Sequence, residues 1–189
     1  MTGPSRSPAV PTTAPIAEVI ASRLRDIQDF PVPGVTFKDF TPLLSDGPAF
    51  RAVVQDISGR YAGQVDVIAG IEARGFILAA AVAYALGIGF VPVRKAGKLP
   101  GETHSAEYQL EYGSAVIEVH MDAFIAGARV LVMDDVLATG GTAEATCDLV
   151  ERAGATVAAV EVVLELGFLH GRDKLAVRAV HAMLSLQGP

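Results

Sequence analysis

RVLVMDDVLATGGTAEAT, residues 129–146, is the stretch that decides the fold. The apolar run Val130–Met133 is typical of a short buried strand, and two acids follow it. The segment after Thr142 has the pattern of a helix. The stretch therefore predicts a strand, a loop and a helix. In a parallel α/β sheet, such a loop leaves the carboxyl end of a strand, where ligands bind.

The second half of the loop, Ala138–Thr142, carries groups that suit a phosphate. Gly140 and Gly141 allow the backbone to approach a ligand closely, and Thr139 and Thr142 add hydroxyl donors. The helix that follows presents free N–H groups and the positive end of its dipole. We therefore expect this half of the loop to bind a phosphate.

The first half of the loop has the opposite charge. Carboxylates at Asp134 and Asp135 would repel a phosphate, but they accept hydrogen bonds from hydroxyls and suit a hydrated cation such as Mg²⁺. Together the two halves predict a site for a sugar phosphate.

The sequence argues against three other interpretations of the stretch. A P-loop would need a Gly-Lys followed by Ser or Thr, and Gly97-Lys98 continues into Leu99. The dinucleotide fingerprint G-x-G-x-x-G is missing as well. A purely structural loop is the third, and the acids beside Thr-Gly-Gly-Thr argue against it.

Composition limits the class of protein. The chain has 189 residues, 51% of them hydrophobic, which is enough for one domain with a sizeable core. A net charge of -6 disfavours a nucleic-acid partner. Cys147 is the only cysteine, so we expect a reducing compartment and a packing role for its thiol. Without a signal peptide or a membrane-length apolar stretch, we expect a cytoplasmic protein with no membrane partner.

The rest of the chain predicts a mobile tail over 1–15 and one domain over 16–189. A second strand–loop–helix unit is expected, with a strand at 65–69, Arg74 in the loop and a helix at 76–86. The strand at 90–93 precedes a cluster of cations that includes Lys95 and Lys98. The polar segment 102–112, together with 114–120, suggests a hairpin-like flap. Other predicted helices cover 16–27, 45–60 and 143–153, and further strands cover 157–164 and 177–186.

Residues 131–142 resemble the phosphoribosyl pyrophosphate motif of the type I phosphoribosyltransferases. Four further motifs occur in the order found in the adenine-specific members of that family: PVPGVTFKD at 31–39, EARGF at 72–76, RKAGKLPG at 94–101 and YQLEYG at 108–113. The resemblance implies an α/β fold, a mostly parallel central sheet flanked by helices. It also implies a small N-terminal hood at about 28–42 and a flexible flap at about 95–118.

By this resemblance, the chain would transfer 5-phosphoribosyl from its pyrophosphate donor to N9 of adenine, giving AMP and pyrophosphate. Mg²⁺ would be bound through substrate oxygens and water, with no direct protein ligand, and the enzyme would form a homodimer. Two alternatives stay open: another purine or pyrimidine phosphoribosyltransferase, and a nucleotide-sensing regulator on the same fold.

The resemblance also implies roles for individual residues. The 5′-phosphate would be held by Ala138, Thr139, Gly140, Gly141 and Thr142, and the ribose hydroxyls by Asp134 and Asp135. Arg74, Lys95 and Lys98 would neutralise pyrophosphate, Val35, Phe37 and Lys38 would bind adenine, and Tyr112 would help to close the flap. The expected catalytic set is Glu111, Asp134, Asp135 and Arg74, with Glu111 exchanging a proton with the purine.

Two positions depart from the family pattern, since Lys38 stands where many members have Arg and Ala73 where many have Ser. A non-proline cis peptide is expected at Glu72–Ala73. We also expect Asp135→Asn to lower turnover far more than stability, on the assumption that Asp135 is an exposed loop acid.

Overall fold

The computed structural model describes residues 15–109, 114–175 and 177–188. Within it the chain forms two compact units, Met1–Val53 and Val54–Pro189, which are described separately. The expectations of a mobile tail over 1–15 and of one domain over 16–189 stay predictions.

The first unit contains helix α1 (Ile16–Ala21), strands β1 (Arg25–Ile27) and β2 (Phe37–Asp39), and helix α2 (Thr41–Ser45). The helix predicted for 16–27 is wrong in its second half, because β1 pairs antiparallel with β2. An ion pair of 2.6 Å between Arg25 Nη2 and Asp39 Oδ2 reinforces this pairing. Hydrogen bonds from Thr41 and from Arg25 lower the pKa of Asp39 to about 2.

Helix α3 (Gly47–Tyr61) crosses from the first unit into the second. The helix predicted at 45–60 begins two residues later than expected, since Ser45 ends α2 and Asp46 has an extended backbone. The Asp46 carboxylate accepts a hydrogen bond of 3.1 Å from the Ala49 N–H and so caps α3.

The second unit is built on a seven-stranded sheet. Its strands are β3 (Val67–Ile71), β4 (Gly89–Lys95), β5 (Thr103–Gln109), β6 (Ser114–His120), β7 (Arg129–Leu137), β8 (Thr156–Leu166) and β9 (Val180–Leu186), in the order β5-β6-β4-β3-β7-β8-β9. The pairs along β4-β3-β7-β8-β9 are parallel, and β6 and β5 are added antiparallel. The predicted mostly parallel sheet is confirmed, and so is the hairpin.

Two helices cover opposite faces of this sheet. Helix α4 (Gly75–Leu86) lies on the Gly70 side, where the missing side chain of Gly70 leaves room for Ala79 and Phe90. Helix α5 (Gly141–Arg152) packs on the other side, in a core that includes Cys147. Burial raises the pKa of the Cys147 thiol to about 12, which agrees with the predicted packing role.

The connection from β8 to β9 holds two short 3₁₀ helices, Gly167–Leu169 and Gly171–Leu175. Among the described residues, no helix is both long enough and apolar enough to cross a membrane.

Because β3, β4 and β7 are parallel neighbours, their carboxyl ends lie at one edge of the sheet. This edge carries the loop before α4, the cations after β4 and the loop before α5, as the sequence predicted. Of the predicted flap, residues 110–113 lie outside the described residues.

Candidate functional site

The loop before α5 is shorter than predicted, because β7 continues through Asp134 and Asp135 as far as Leu137. Backbone pairing with β8, such as Asp134 with Val162, keeps both acids in the strand. Residues 138–140 then turn into the helix, and Gly140 takes the left-handed conformation with φ of 81°. Only glycine adopts such a backbone without strain.

The start of α5 is open to a ligand. In the described part of the chain, no side chain caps this helix. The N–H groups of its first turn have no partner within the helix, so they are available to an anion. The turn surrounds a cradle of about 70 Å³, lined by Asp134, 136–143 and Val162. A water molecule takes up about 30 Å³ in the liquid, so the cradle suits a small group such as a phosphate rather than a purine.

The two acids differ in their surroundings. Asp135 is only 5% exposed, and its Oδ2 lies 2.7 Å from Arg74 Nε. Asp134 accepts a hydrogen bond of 2.8 Å from the Asp135 N–H. Burial, together with the negative charge of Asp135, raises the pKa of Asp134 well above its ordinary value. The site therefore holds one acid neutralised by a cation and one that resists ionisation.

Arg74 reaches Asp135 because the start of α4 packs tightly on β7. A methyl group on Gly75 would lie 2.9 Å from the Met133 carbonyl oxygen and 3.0 Å from Asp134 Oδ1. The cis peptide expected at Glu72–Ala73 is present in this loop. The assumption that Asp135 is an exposed loop acid is wrong, because it is a buried strand residue with an ion-pair partner.

Glu72 joins the loop before α4 to the end of β4. Its carboxylate accepts a hydrogen bond of 3.0 Å from the Lys95 N–H and lies 3.3 Å from Arg94 Nε. Burial opposes ionisation of Glu72, but these contacts outweigh it and lower the pKa. The exposed side chain of Lys95 thus begins beside the loop that carries Arg74.

Lys98 lies in the turn that follows, and Glu118 on β6 shapes that turn. Glu118 accepts hydrogen bonds of 3.1 Å from the Lys98 N–H and 3.0 Å from the Leu99 N–H. Arg94 Nη1 donates to the Lys98 carbonyl at 3.1 Å. Of the three cations in the cluster, Arg94 is held within the protein, and the exposed Lys95 and Lys98 can meet a ligand.

Sequence analysis missed the supporting roles of Glu72 and Glu118. The position of Glu72 inside the motif EARGF at 72–76 is the signal that could have indicated its role. Glu118 is a charged residue in an otherwise apolar run, AVIEVH at 115–120, and that contrast could have indicated it.

The residues expected to bind adenine belong to the first unit. The Phe37 ring lies edge-on to Phe30, with 5.2 Å between the ring centroids. Lys38 Nζ lies 3.1 Å from Asp26, so its charge is engaged locally. Val35 is exposed. Glu111 and Tyr112 lie outside the described residues, so the roles of all five stay predictions.

A family model for the phosphoribosyl transferase domain matches residues 44–180. This span includes both strand–loop–helix units and the acidic pair. The chain therefore belongs to the phosphoribosyltransferase family, within which its relatives identify it with the adenine phosphoribosyltransferases.

The adenine phosphoribosyltransferase of Salinispora tropica is 66% identical over 172 residues, which are 90% of this chain and 91% of that protein. Among solved structures, the enzyme of the same name from Thermoanaerobacter pseudethanolicus has a TM-score of 0.87 at 47% identity, over 90% of this chain and 99% of that one. The Saccharomyces cerevisiae enzyme, solved with an imino-altritol bisphosphate and adenine, has a TM-score of 0.86 at 40% identity, over 89% and 98% of the two chains. The resemblance inferred from the motifs is confirmed.

Proposed function

We propose that the protein transfers the 5-phosphoribosyl group from phosphoribosyl pyrophosphate to N9 of adenine, producing AMP and pyrophosphate, as in purine salvage. The observation that carries this is the phosphate cradle placed directly beside the two acids at the end of β7. A site for phosphate alone would not need two carboxylates. A sugar phosphate has hydroxyls that can donate hydrogen bonds to them. The names of the similar proteins supply the base.

In this reaction, the first-turn N–H groups of α5 hold the 5′-phosphate. Asp134 and Asp135 accept hydrogen bonds from the ribose hydroxyls, and the ion-paired Asp135 stabilises the positive charge that develops on the sugar. Arg74, Lys95 and Lys98 neutralise the departing pyrophosphate from the neighbouring strand ends. The Arg74–Asp135 ion pair keeps these two functions adjacent.

Mg²⁺ would neutralise charge on the pyrophosphate and help it to leave. In the described part of the chain, no three His, Cys, Asp or Glu side chains are grouped to hold a metal. The proposed ion takes its ligands from substrate oxygens and water, as Mg²⁺ commonly does.

On the base side, the proposed roles are those expected from the family. Phe37 stacks on adenine, the backbone of 35–38 contacts the edge of the base, Glu111 exchanges a proton with the purine, and Tyr112 helps to close the flap. The partial exposure of Phe37 supports the first role.

The test is incubation with phosphoribosyl pyrophosphate, Mg²⁺ and each of adenine, guanine, hypoxanthine and orotate, while pyrophosphate and nucleotide are measured. Formation of AMP from adenine is expected. Product from another base but not from adenine would support a different phosphoribosyltransferase, and no product from any base would support the regulator.

A homodimer is proposed through α4, in which GFILAAAVAYAL carries no charge. Its outer side exposes Ile77, Ala80 and Tyr84, the last by 90%. Large residues at both ends and alanines between them suit antiparallel packing on a second copy about a two-fold axis. Tyr84→Glu should yield monomers in light scattering, whereas Val177→Glu, at another exposed apolar residue, should stay dimeric. A dimeric Tyr84→Glu protein would exclude this surface.

A further inference from the structure

The phosphate loop is in direct backbone contact with Gly171, which lies more than 30 residues further along the chain. A methyl group on Gly140 would overlap the Gly171 carbonyl group. A methyl group on Gly171 would in turn overlap the Ala138 carbonyl oxygen and lie 2.8 Å from the Gly140 nitrogen. The two backbones are therefore as close as they can be, and neither position has room for a side chain.

Gly171 is held in place from several sides. It begins the 3₁₀ helix that ends at Leu175, whose side chain is fully buried in the core against α5 and the sheet. Arg172 makes two contacts with Glu165 near the end of β8, Nε to Oε1 at 2.8 Å and Nη2 to Oε2 at 2.7 Å. Arg172 Nη1 also donates to the Val180 carbonyl of β9 at 2.7 Å.

These contacts are directional. A guanidinium that meets a carboxylate through two parallel hydrogen bonds fixes its own orientation and that of the backbone beside it. The same pair lowers the pKa of Glu165, so the carboxylate remains charged at neutral pH. The backbone of 171–172 is therefore a firm support for the loop.

We propose that Gly171, anchored by the Arg172–Glu165 ion pair, is a positioning residue that sets the shape of the 138–140 loop and so the affinity for the 5′-phosphate. This inference rests on the proposed function in one respect, the role of the loop. Several N–H groups must point at one phosphate, and a displacement of about 1 Å is enough to lose much of their combined effect. Gly140 cannot hold its own conformation rigidly, because glycine is the most flexible residue.

A positioning role for Gly171 and a simple packing role predict different effects on ligand binding. The close contacts of Gly171 are with Ala138 and Gly140. The residues proposed to bind pyrophosphate lie elsewhere, Arg74 directly before α4 and Lys95 at the end of β4. A positioning role should therefore weaken binding of ribose 5-phosphate and leave that of pyrophosphate unchanged. General loss of structure would weaken both.

Gly171→Ala is the direct test, with Gly167→Ala as its matched control. Both glycines lie in the same connection, and a methyl group on Gly167 mainly meets the flexible Gln187 side chain. Affinities for ribose 5-phosphate and for pyrophosphate are measured by calorimetry on the full chain, with melting temperature as a check on folding. In Gly171→Ala, we expect ribose 5-phosphate to bind about tenfold more weakly or worse and pyrophosphate to change by less than about twofold. Gly167→Ala should match the wild type for both.

If Gly171→Ala does not fold, Arg172→Gln tests the same proposal. It removes the ion pair with Glu165 that anchors Gly171, and it adds no atom beside the loop. Its control is Arg178→Gln, since Arg178 also pairs with two carboxylates, Asp148 and Glu151, but in the C-terminal half of α5, away from the phosphate loop. We expect Arg172→Gln, and not Arg178→Gln, to raise KM for phosphoribosyl pyrophosphate while KM for adenine is unchanged.

Unchanged ribose 5-phosphate affinity in a folded Gly171→Ala or Arg172→Gln protein would overturn the proposal, and so would an equal loss for pyrophosphate. The proposed transfer reaction is tested separately: a wild type that binds ribose 5-phosphate and forms no nucleotide would refute the transfer, while the affinity ratios would still decide the role of Gly171.

Discussion

The loops before α4 and α5 follow neighbouring parallel strands, and they are built for anions in different ways. The loop before α5 offers backbone N–H groups, shaped by a left-handed Gly140 and by the contact with Gly171. The loop before α4 offers a side chain, Arg74, which is 42% exposed and paired with Asp135. One site therefore depends on shape and the other on charge.

This difference matches what the two phosphate groups do in the proposed reaction. The 5′-phosphate stays bound from donor to product, so a fixed cradle serves it throughout. Pyrophosphate gains charge as it leaves, and the positive charge of a guanidinium can neutralise it. Substitutions on the two loops should therefore impair different functions. Those before α5 should weaken binding of the 5′-phosphate, and those before α4 should weaken the interaction with pyrophosphate.

The largest effect is expected at the acid that links the two loops. Asp135→Asn removes the charge that faces the developing positive sugar and also breaks the ion pair with Arg74. Losses of about 10²–10³ in kcat are typical when one such electrostatic group is removed. The melting temperature should fall as well, because Asp135 is buried. The sequence, which indicated an exposed acid, predicted little change in stability. The control is Asp66→Asn, whose ion pair with Arg129 lies at the opposite ends of the strands; equal losses in the two variants would contradict the role of Asp135.

Arg74→Gln should have the next largest effect, and it should distinguish the functions of the two loops. Loss of a charge-assisted contact to pyrophosphate costs roughly ten- to hundredfold in affinity. Ribose 5-phosphate should bind as in the wild type, because its cradle is formed by the α5 loop. Calorimetry with both ligands checks this. A matching loss for ribose 5-phosphate would show that the two loops act as one site.

The sequence predicted the second unit well because its signals are local and repeated. Apolar runs mark β3, β4, β7 and β8, and Gly-rich turns precede α4 and α5, so the parallel sheet and its binding edge follow from chain order. The first unit was harder to predict. Apolar spacing continued past Ala21, and the pairing of Arg25 with Asp39, which ends the helix, depends on residues 14 apart in the chain.

The site shows the same division. The residues expected at the sheet edge could be named from their motifs, but the contact that shapes the phosphate loop could not. Gly171 meets the backbone of Ala138 and Gly140, more than 30 positions away in the chain, and no sequence pattern records this contact. The Arg74–Asp135 ion pair likewise joins two motifs that the sequence assigns to different parts of one ligand, the pyrophosphate and the ribose.

Asp134→Asn should change stability in a way that depends on pH. The raised pKa means that the folded protein retains a proton which the unfolded chain releases above its ordinary value of 3.8. The stability associated with that proton is present at low pH and is lost as pH rises through the raised pKa. Asparagine carries no such penalty, so the melting temperature of the variant should exceed that of the wild type increasingly from acid to neutral pH. A constant difference between the two proteins across this range would argue against the raised pKa.

The smallest effects are expected from the threonines of the phosphate loop. If backbone N–H groups form the cradle, Thr139→Ala and Thr142→Ala each remove one hydroxyl, which contributes about 0.5–1.5 kcal/mol net, or roughly two- to tenfold in KM for phosphoribosyl pyrophosphate. Neither hydroxyl caps α5 in the described structure, so the loop should keep its shape and kcat should change little. Steady-state kinetics with adenine saturating measures both constants. A hundredfold loss from either threonine would mean that side chains bind the 5′-phosphate, and the contrast between a backbone-built loop and a side-chain-built loop would then be lost.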